Sequence, residues 1–365
     1  MRRKGFVSLL VAALALLLAA SGEPARDITK GVARSRAIDA YSAMQRYFYS
    51  RADGSYAGTH ERPNRAQAWP FSQALWATLY IAAIPMGDPD ARADLLARIR
   101  ALAAYSRPEP GRPAEYAPVF GGSGVVYNDD NLWIAQALVG SSSIVGGQAF
   151  ATARNLFRLV EDSWDMNAAD PCPGGIFWTR QGANRDRNAV TTANASLLAL
   201  RLYERSGAPA YLAWAQSAYA WTKRCLGTQS GLVNDHIDLG GKVDPHTWSY
   251  NQGAMIAAGV RLYRATGRRS YLDDATRTAN AALRKIGDPL ASGEPPVFLA
   301  IFYRDLLEIT AVVPGRVDRD AVSTFADEAW QRSRDPKTGL FHFAGRGPTL
   351  LDQAAMVQVF AELGR

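Results

Sequence analysis

The chain has 365 residues, of which 48% are hydrophobic, so it can bury a large core as one or two domains. Its formal net charge is +7, but three of these positive charges belong to Arg2, Arg3 and Lys4, which leaves a mild +4 for the rest. The other arginines are scattered through helical segments, which argues against a nucleic-acid-binding stripe.

The first residues resemble an export signal. The basic residues are followed by an unbroken apolar run over 6–20 and then by small residues. The run is shorter than the roughly 20 residues of a membrane span. The sequence therefore predicts a signal peptide over 1–22, with an uncleaved anchor as the alternative, and one exported domain over 23–365. No later stretch is long and apolar enough to span a membrane.

Helical periodicity dominates the remainder of the chain. Apolar residues recur at a spacing of three and four, and the long alternating runs typical of strands are absent. The pattern predicts twelve helices: 33–49, 71–84, 89–105, 130–140, 148–162, 190–205, 209–225, 251–265, 270–285, 297–311, 318–333 and 349–363.

An internal repeat organises these helices. The motif RLY, a glycine and then the pair YL recur at an offset of 60 residues, with Gly207 and Gly267 in equivalent places. Both glycines are expected to end a helix with a positive φ and to start a tight turn. The repeating unit is therefore a helical hairpin.

Six helical hairpins are compatible with an open solenoid or with a closed (α/α)6 toroid. The connections over 50–70, 106–129, 163–189 and 226–250 are long, whereas those within hairpins are short. Such irregular, long loops favour the toroid over a regular solenoid. All of them join the end of one helix class to the start of the other, so we expect them on one face. The predicted fold class is all-α, an (α/α)6 barrel.

Polar and aromatic residues gather at the starts of helices of one class, which a toroid would bring to a common mouth. Aromatic rings pack on the C–H faces of sugars, while amides and carboxylates bind hydroxyl groups. The predicted sugar-binding residues are Trp69, Asn128, Trp178, Asn188, Asn194, Asp235, Tyr250, Asn251 and Gln252.

Asp129 and Asp130 are the strongest candidates for catalysis. One interpretation is a helix N-cap followed by a second acid that the helix dipole favours. The other is a glycosidase pair, because retaining enzymes place two carboxyl groups about 5–5.5 Å apart. Neighbouring side chains that diverge across a first helical turn can meet this spacing. The convergence of the other motifs on the same face favours the second interpretation.

Several of these residues also have structural interpretations. The segment at Tyr250 fits a capping turn, Asp235 fits a loop salt bridge, and Trp178 fits a hydrophobic plug between helices. Cys172 and Cys225 are expected on the same face of adjacent hairpins, where a disulfide and two free thiols are both compatible with export. The four histidines lack metal-ligand spacing, so no metal or cofactor is predicted.

Taken together, the motifs resemble glycoside hydrolase family 76, the endo-α-1,6-mannanases and related enzymes. The resemblance rests on YNDDNLW at 127–133, GGIFW at 174–178, the segment 188–194, the 60-residue repeat and YNQG at 250–253. It implies an (α/α)6 fold and retaining hydrolysis of α-1,6-linked mannose, with Asp129 as nucleophile and Asp130 as acid/base. It implies no metal or cofactor.

The expected function is therefore that of an exported, endo-acting α-1,6-mannanase. It is expected to be a monomer that binds α-mannan, without nucleic acid and without a membrane span after signal removal. Three alternatives stay open at this point. The protein could transfer mannan instead of hydrolysing it, or bind glycans without catalysis as a cell-wall protein. A sugar epimerase is disfavoured, because such enzymes rely on paired histidines in the cleft.

Overall fold

The computed structural model describes residues 28–61, 64–84, 90–180, 182, 184–313, 318–343 and 345–365. The predicted signal peptide over 1–22 lies outside the described residues. No helix in these ranges is both long and apolar enough to cross a membrane.

Twelve α-helices form two concentric rings in this part of the chain. The inner helices are α2 (Ala68–Ala82), α4 (Asn128–Val145), α6 (Ala189–Ser206), α8 (Ser249–Thr266), α10 (Pro296–Thr310) and α12 (Leu350–Leu363). The outer helices are α1 (Lys30–Phe48), α3 (Ala91–Ala101), α5 (Gly147–Glu161), α7 (Pro209–Leu226), α9 (Arg269–Ile286) and α11 (Asp318–Arg332).

The inner ring is closed, because each inner helix packs on the next and α12 packs on α2. Five hairpins are consecutive along the chain, and the sixth is made by α12 and α1, the last and first helices described. The predicted (α/α)6 barrel is therefore confirmed, and the open solenoid is excluded. The predicted helix at 89–105 is shorter than expected, since it ends at Ala101 and continues as a 3-10 helix, Leu102–Tyr105.

The two ring types differ in burial, as their sequences require. The inner helix α8 is buried on nearly every side, whereas the outer helix α9 buries one stripe that includes Leu272, Ala275 and Ala279. Gly253 allows α8 to approach α10 closely, because a Cβ there would lie 2.9 Å from the Cα of Phe302. The inner ring thus forms the core.

The repeat glycines end their helices as predicted. Gly207 and Gly267 both have φ +70°, and each donates its backbone N–H to the carbonyl of a tyrosine four residues earlier. These positive φ values are accessible to glycine without a steric cost. The turns that follow are short, so α7 and α9 fold back directly against α6 and α8.

The mouth of the barrel carries the long loops and two small antiparallel sheets. The strands are β1 (Ser106–Arg107), β2 (Glu115–Tyr116), β3 (Arg187–Asn188), β4 (His236–Ile237) and β5 (Val243–Asp244). β1 pairs with β2, and the order in the second sheet is β3-β4-β5. The second sheet ties the loop before α6 to the loop before α8, so it fixes the two loops relative to each other.

Candidate active site

Asp129 and Asp130 lie in the first turn of α4, at its second and third residues. Tyr127 is the N-cap residue and makes no side-chain capping bond. The interpretation of the aspartates as an N-cap is therefore wrong, because the helix begins at Asn128, earlier than predicted. Both carboxyl groups still lie at the positive end of the helix dipole, which favours negative charge.

Trp178 holds the carboxyl group of Asp129. Its indole Nε1–H donates to Asp129 Oδ1 at 3.0 Å. Its backbone is fixed on both sides, since its N–H donates to the Asp186 carbonyl and its carbonyl accepts from Asn128 N–H. Its ring also packs against Tyr127, with centroids 5.0 Å apart. Trp178 is therefore a positioned hydrogen-bond donor to the acid and not a plug between helices.

The loop before Trp178 is anchored on α7. A disulfide joins Cys172 to Cys225, and the Cys172 carbonyl accepts the Trp221 indole N–H at 3.1 Å. Gly175 has φ +79°, and a Cβ there would lie 2.4 Å from the Trp221 ring. Only glycine fits this position, so the sequence of the loop determines where Trp178 is held.

The two aspartates have different environments. Burial raises the pKa of Asp129 to about 6, against the lowering effect of the Trp178 hydrogen bond and of the first backbone N–H groups of α4. Burial raises the pKa of Asp130 well above its ordinary value, and the charge of Asp129 raises it further. Within the described part of the chain, no side chain hydrogen-bonds the Asp130 carboxyl group. Asp129 therefore ionises before Asp130 as the pH rises.

Asp129 and Asp130 line a cavity of about 430 Å³ at the mouth of the barrel. Its walls are largely aromatic and aliphatic, with two carboxyl groups and few other polar atoms. The lining residues are Gln67, Trp69, Pro118, Val125, Tyr127, Asp129, Asp130, Trp133, Trp178, Val190, Tyr250, Phe298 and Ile301. This combination suits a ligand that has apolar faces and hydroxyl edges.

The structure brings some of the predicted sugar-binding residues to this cavity. Trp69, Trp178 and Tyr250 line it together with the aspartates. Asn188 and Asn251 lie at the starts of α6 and α8, and Asp235 directly precedes β4. None of the three lines the cavity. The Oδ1 atoms of Asn188 and Asn251 are buried and have no hydrogen-bond partner among the described residues.

Three predicted contacts are corrected, because their amides are buried and bound to protein groups. Asn128 donates to the Phe177 carbonyl at 2.7 Å. Gln252 bonds to both backbone groups of Val233, and Asn194 bonds within the inner ring, to α4 and to its own helix. These side chains hold loops and helices in place.

Phe298 is a cavity residue that the sequence analysis missed. It packs against Tyr250, with centroids 4.1 Å apart, and against Trp69 at 6.0 Å. It stands in the first turn of α10, an inner helix whose start was not included among the candidate positions. The rule that inner-helix starts face the mouth would have identified it.

Asp235 contacts α8 at the residue that follows the cavity residue Tyr250. Its Oδ1 accepts from Asn251 Nδ2 at 3.1 Å, and its Oδ2 is 2.8 Å from His236 Nδ1. No group of His, Cys, Asp or Glu side chains in the described ranges has the arrangement of a metal site.

A carboxyl pair of unequal pKa in an aromatic cavity, at the mouth of an (α/α)6 barrel, is the arrangement of a glycosidase. Comparison with protein families agrees with this class. The family model for glycosyl hydrolase family 76 matches residues 33–339. The chain belongs to glycosyl hydrolase family 76.

A curated relative and two solved structures add detail. The mannan endo-1,6-alpha-mannosidase DCW1 of Saccharomyces cerevisiae is 30% identical over 124 residues, which span 32% of this chain and only 27% of that protein. A family 76 mannosidase from Bacteroides thetaiotaomicron has a TM-score of 0.82 and 19% identity, covering 91% of this chain and 98% of its own.

The α-1,6-mannanase of Salegentibacter sp. HEL1_6 has been solved as an inactive variant with two consecutive aspartates replaced by asparagine, in complex with α-1,6-mannotriose. That structure has a TM-score of 0.74 and 20% identity, and covers 91% of this chain and 99% of its own. At these identities, the two solved structures establish the fold of this chain.

Proposed function

We propose that the protein is an exported endo-α-1,6-mannosidase that cleaves mannan with retention of configuration. The observation that carries the proposal is the pair Asp129 and Asp130 in the first turn of α4, facing an aromatic cavity with unequal pKa values. The mannosidic substrate is supported by the names of the yeast and bacterial relatives.

The environments of the two aspartates support a division of roles. The Trp178 N–H and the helix start favour the anionic form of Asp129, as a nucleophile needs. Asp130 is buried beside that charge and keeps its proton to higher pH, as a general acid needs. Neighbouring carboxyl groups fit the short separation of retaining enzymes better than the wider gap of inverting ones.

The reaction then has two steps. An oxygen of Asp129 attacks the anomeric carbon and forms a covalent mannosyl-enzyme, while Asp130 gives its proton to the departing glycosidic oxygen. The Asp130 carboxylate then takes a proton from water, and this water releases the sugar from Asp129. The α configuration is inverted twice and so retained.

Aromatic residues of the cavity would position the sugar units. Trp69, Tyr250 and Phe298 form one continuous wall, on which the C–H face of a pyranose can pack. The Trp69 Nε1 atom is buried and has no partner among the described residues.

The test is hydrolysis of α-1,6-mannotetraose, with the anomer of the first product followed by NMR. We expect the α anomer, and we expect Asp129→Asn and Asp130→Asn each to lower kcat/KM by about 100-fold or more. Asp162→Asn is the matched control, because Asp162 is an exposed acid of a mouth loop.

Four results would contradict the proposal. Release of the β anomer would exclude retention, and equal rates for Asp129→Asn and wild type would exclude the assigned nucleophile. Longer products without net release of reducing ends would identify a transglycosylase instead. Binding of mannan by every variant, with cleavage by none including wild type, would identify a glycan-binding protein.

A further inference from the structure

A second cavity lies on the other face of the chain segment that carries Trp178. This segment is extended and is bridged on both sides, to the loop before α4 and to the loop before α6. Successive side chains of an extended segment point to opposite faces. Trp178 therefore lines the catalytic cavity, whereas its neighbours Phe177 and Thr179 line the second cavity, whose volume is about 410 Å³. One extended segment separates the two.

The two cavities differ in charge. Three arginines line the second cavity: Arg112 from the loop before α4, and Arg180 and Arg185 from the loop before α6. Among the described residues, no lysine or arginine lines the catalytic cavity. Both loops belong to the mouth of the barrel, so a ligand that enters the mouth can reach the arginines. The second cavity therefore offers a chemistry that the catalytic cavity lacks.

Arg180 is held rigidly at this cavity, with a side chain that is only 9% exposed. Its Nε lies 2.6 Å from Glu115 Oε2, and its Nη1 donates to the Leu159 carbonyl and to Ser163 Oγ. Glu115 is also 2.6 Å from Arg107, so one carboxylate serves two guanidinium groups. The Nη2 of Arg180 makes no hydrogen bond to a described residue and is available to a ligand. A guanidinium group fixed in this way is a preorganised donor for an anion.

Arg185 and Arg112 add charge without a counter-ion. The guanidinium carbon of Arg185 lies 3.9 Å from the centroid of the Phe177 ring, and this stacking orients the group. Neither arginine makes a side-chain hydrogen bond or an ion pair with a described residue. Their N–H donors are therefore free to bind a ligand.

Two acids in the lining leave an excess of positive charge. Asp165 is buried and already neutralised, because one of its oxygens lies 2.6 Å from Arg187 Nη1 and the other accepts the Asn167 backbone N–H. Asp162 is exposed and makes no side-chain bond to a described residue, so it offsets one arginine at most. Three guanidinium groups beside one unpaired carboxylate favour an anionic ligand.

We propose that the second cavity binds a phosphate group carried by a mannosyl glycan, with Arg180, Arg185 and Arg112 as its donors. Guanidinium groups match phosphate oxygens with paired N–H donors, and a phosphate monoester carries about −1.5 to −2 charges at pH 7, enough for more than one arginine. Trp164 and Met166 also line the cavity, and Met166 is 85% exposed, so the C–H face of the attached sugar can pack there. The glycan rests on the proposed function, but the anion site does not.

Calorimetric titration with mannose 6-phosphate, inorganic phosphate and mannose tests the site. We expect mannose 6-phosphate to bind at least about 10-fold more tightly than mannose, and more tightly than inorganic phosphate. Arg185→Gln should weaken its binding by about 5-fold or more, and Arg112→Gln combined with Arg185→Gln should weaken it further. Arg158→Gln is the matched control, because it removes the same charge from an exposed position of α5 outside the cavity.

Three calorimetric results would overturn the inference. Mannose that binds as tightly as mannose 6-phosphate would exclude an anion site. An equal loss in Arg158→Gln and Arg185→Gln would show a general effect of net charge. Inorganic phosphate that binds as tightly as mannose 6-phosphate would identify a site for the free ion and exclude the glycan.

The NMR signal of the Arg185 Nε–H group locates the ligand and separates this inference from the proposed function. The signal is assigned by its absence in Arg185→Gln, and we expect mannose 6-phosphate to shift it while mannose does not. An unshifted signal at saturating mannose 6-phosphate would place the ligand elsewhere and overturn the inference. Neither measurement needs turnover. If wild type cleaves no α-1,6-mannoside, the proposed function fails, whereas the binding results still decide whether the second cavity takes a phosphate.

Discussion

The hydrogen bond from Trp178 to Asp129 gives the sharpest prediction for the pH dependence of activity. Trp178→Phe keeps an aromatic ring against Tyr127 but removes the Nε1–H that lies 3.0 Å from Asp129 Oδ1. This bond stabilises the ionised carboxyl group more than the neutral one. Its loss should therefore raise the pKa of Asp129 above the value of about 6 in the native protein.

The size of the effect follows from the bond. A hydrogen bond to a charged group contributes about 1.5–3 kcal/mol, and about 1.4 kcal/mol corresponds to one pH unit. The pKa of Asp129 should then rise by about one to two pH units. At pH 6, half of the Asp129 groups ionise in wild type, but only about 1–10% do so in the variant. We expect kcat/KM to fall about 5-fold to 50-fold at pH 6 and to recover above pH 8.

The assay is kcat/KM on α-1,6-mannotetraose from pH 4 to 9, with circular dichroism as a check on folding. Trp69→Phe is the matched control, because Trp69 lines the same cavity and its Nε1 has no partner among the described residues. Trp69→Phe should change KM without shifting the acidic limb of the profile of kcat/KM against pH. A folded Trp178→Phe protein that keeps the wild-type acidic limb, or a Trp69→Phe protein that shifts it equally, would contradict this role of the Trp178 hydrogen bond.

Two further predictions concern stability. Gly175→Ala should lower the free energy of unfolding by about 1–3 kcal/mol, because the new Cβ would overlap the Trp221 ring. It should also lower activity, because it displaces the loop that holds Trp178. Gly207→Ala, also at positive φ but in open space, should lower the free energy of unfolding by about 1 kcal/mol and leave activity unchanged. Equal losses of stability in both variants would contradict the overlap with Trp221 as the cause. Asp130→Asn should raise Tm by a few degrees at pH 7, since burial disfavours the charged carboxyl group. Because the folded-state pKa is raised, this gain should disappear below the ordinary value of 3.8, where both states hold the proton; a gain that persists at pH 3 would point to another cause.

The sequence was a good guide to the architecture, because helices and tight turns depend on neighbouring residues. Apolar spacing located all twelve helices, and the repeat identified the helix-ending glycines Gly207 and Gly267. Helix ends were less certain: α4 begins two residues before the predicted position, which moved Asp129 and Asp130 from the cap into the first turn. Local patterns identify a helix well, but the residue at which it begins also depends on the conformation of the preceding loop.

The cavity could be predicted in outline, but the choice of side chains could not. Asn128 and Asp130 are two residues apart, yet only Asp130 reaches the cavity, because the Phe177 carbonyl holds the Asn128 amide. Gln252 is similarly taken by the backbone of Val233. An amide that binds a ligand and an amide that binds a distant carbonyl have the same sequence signal.

The sequence by itself therefore determined the helical barrel, its single mouth and the presence of a carboxyl pair there. Only the tertiary structure gave the two carboxyl groups their different environments. Trp178 reaches Asp129 from 49 residues away along the chain. The ionisation of a carboxyl group depends on burial and on charges within a few ångströms, and these are properties of the folded surroundings that no local pattern contains.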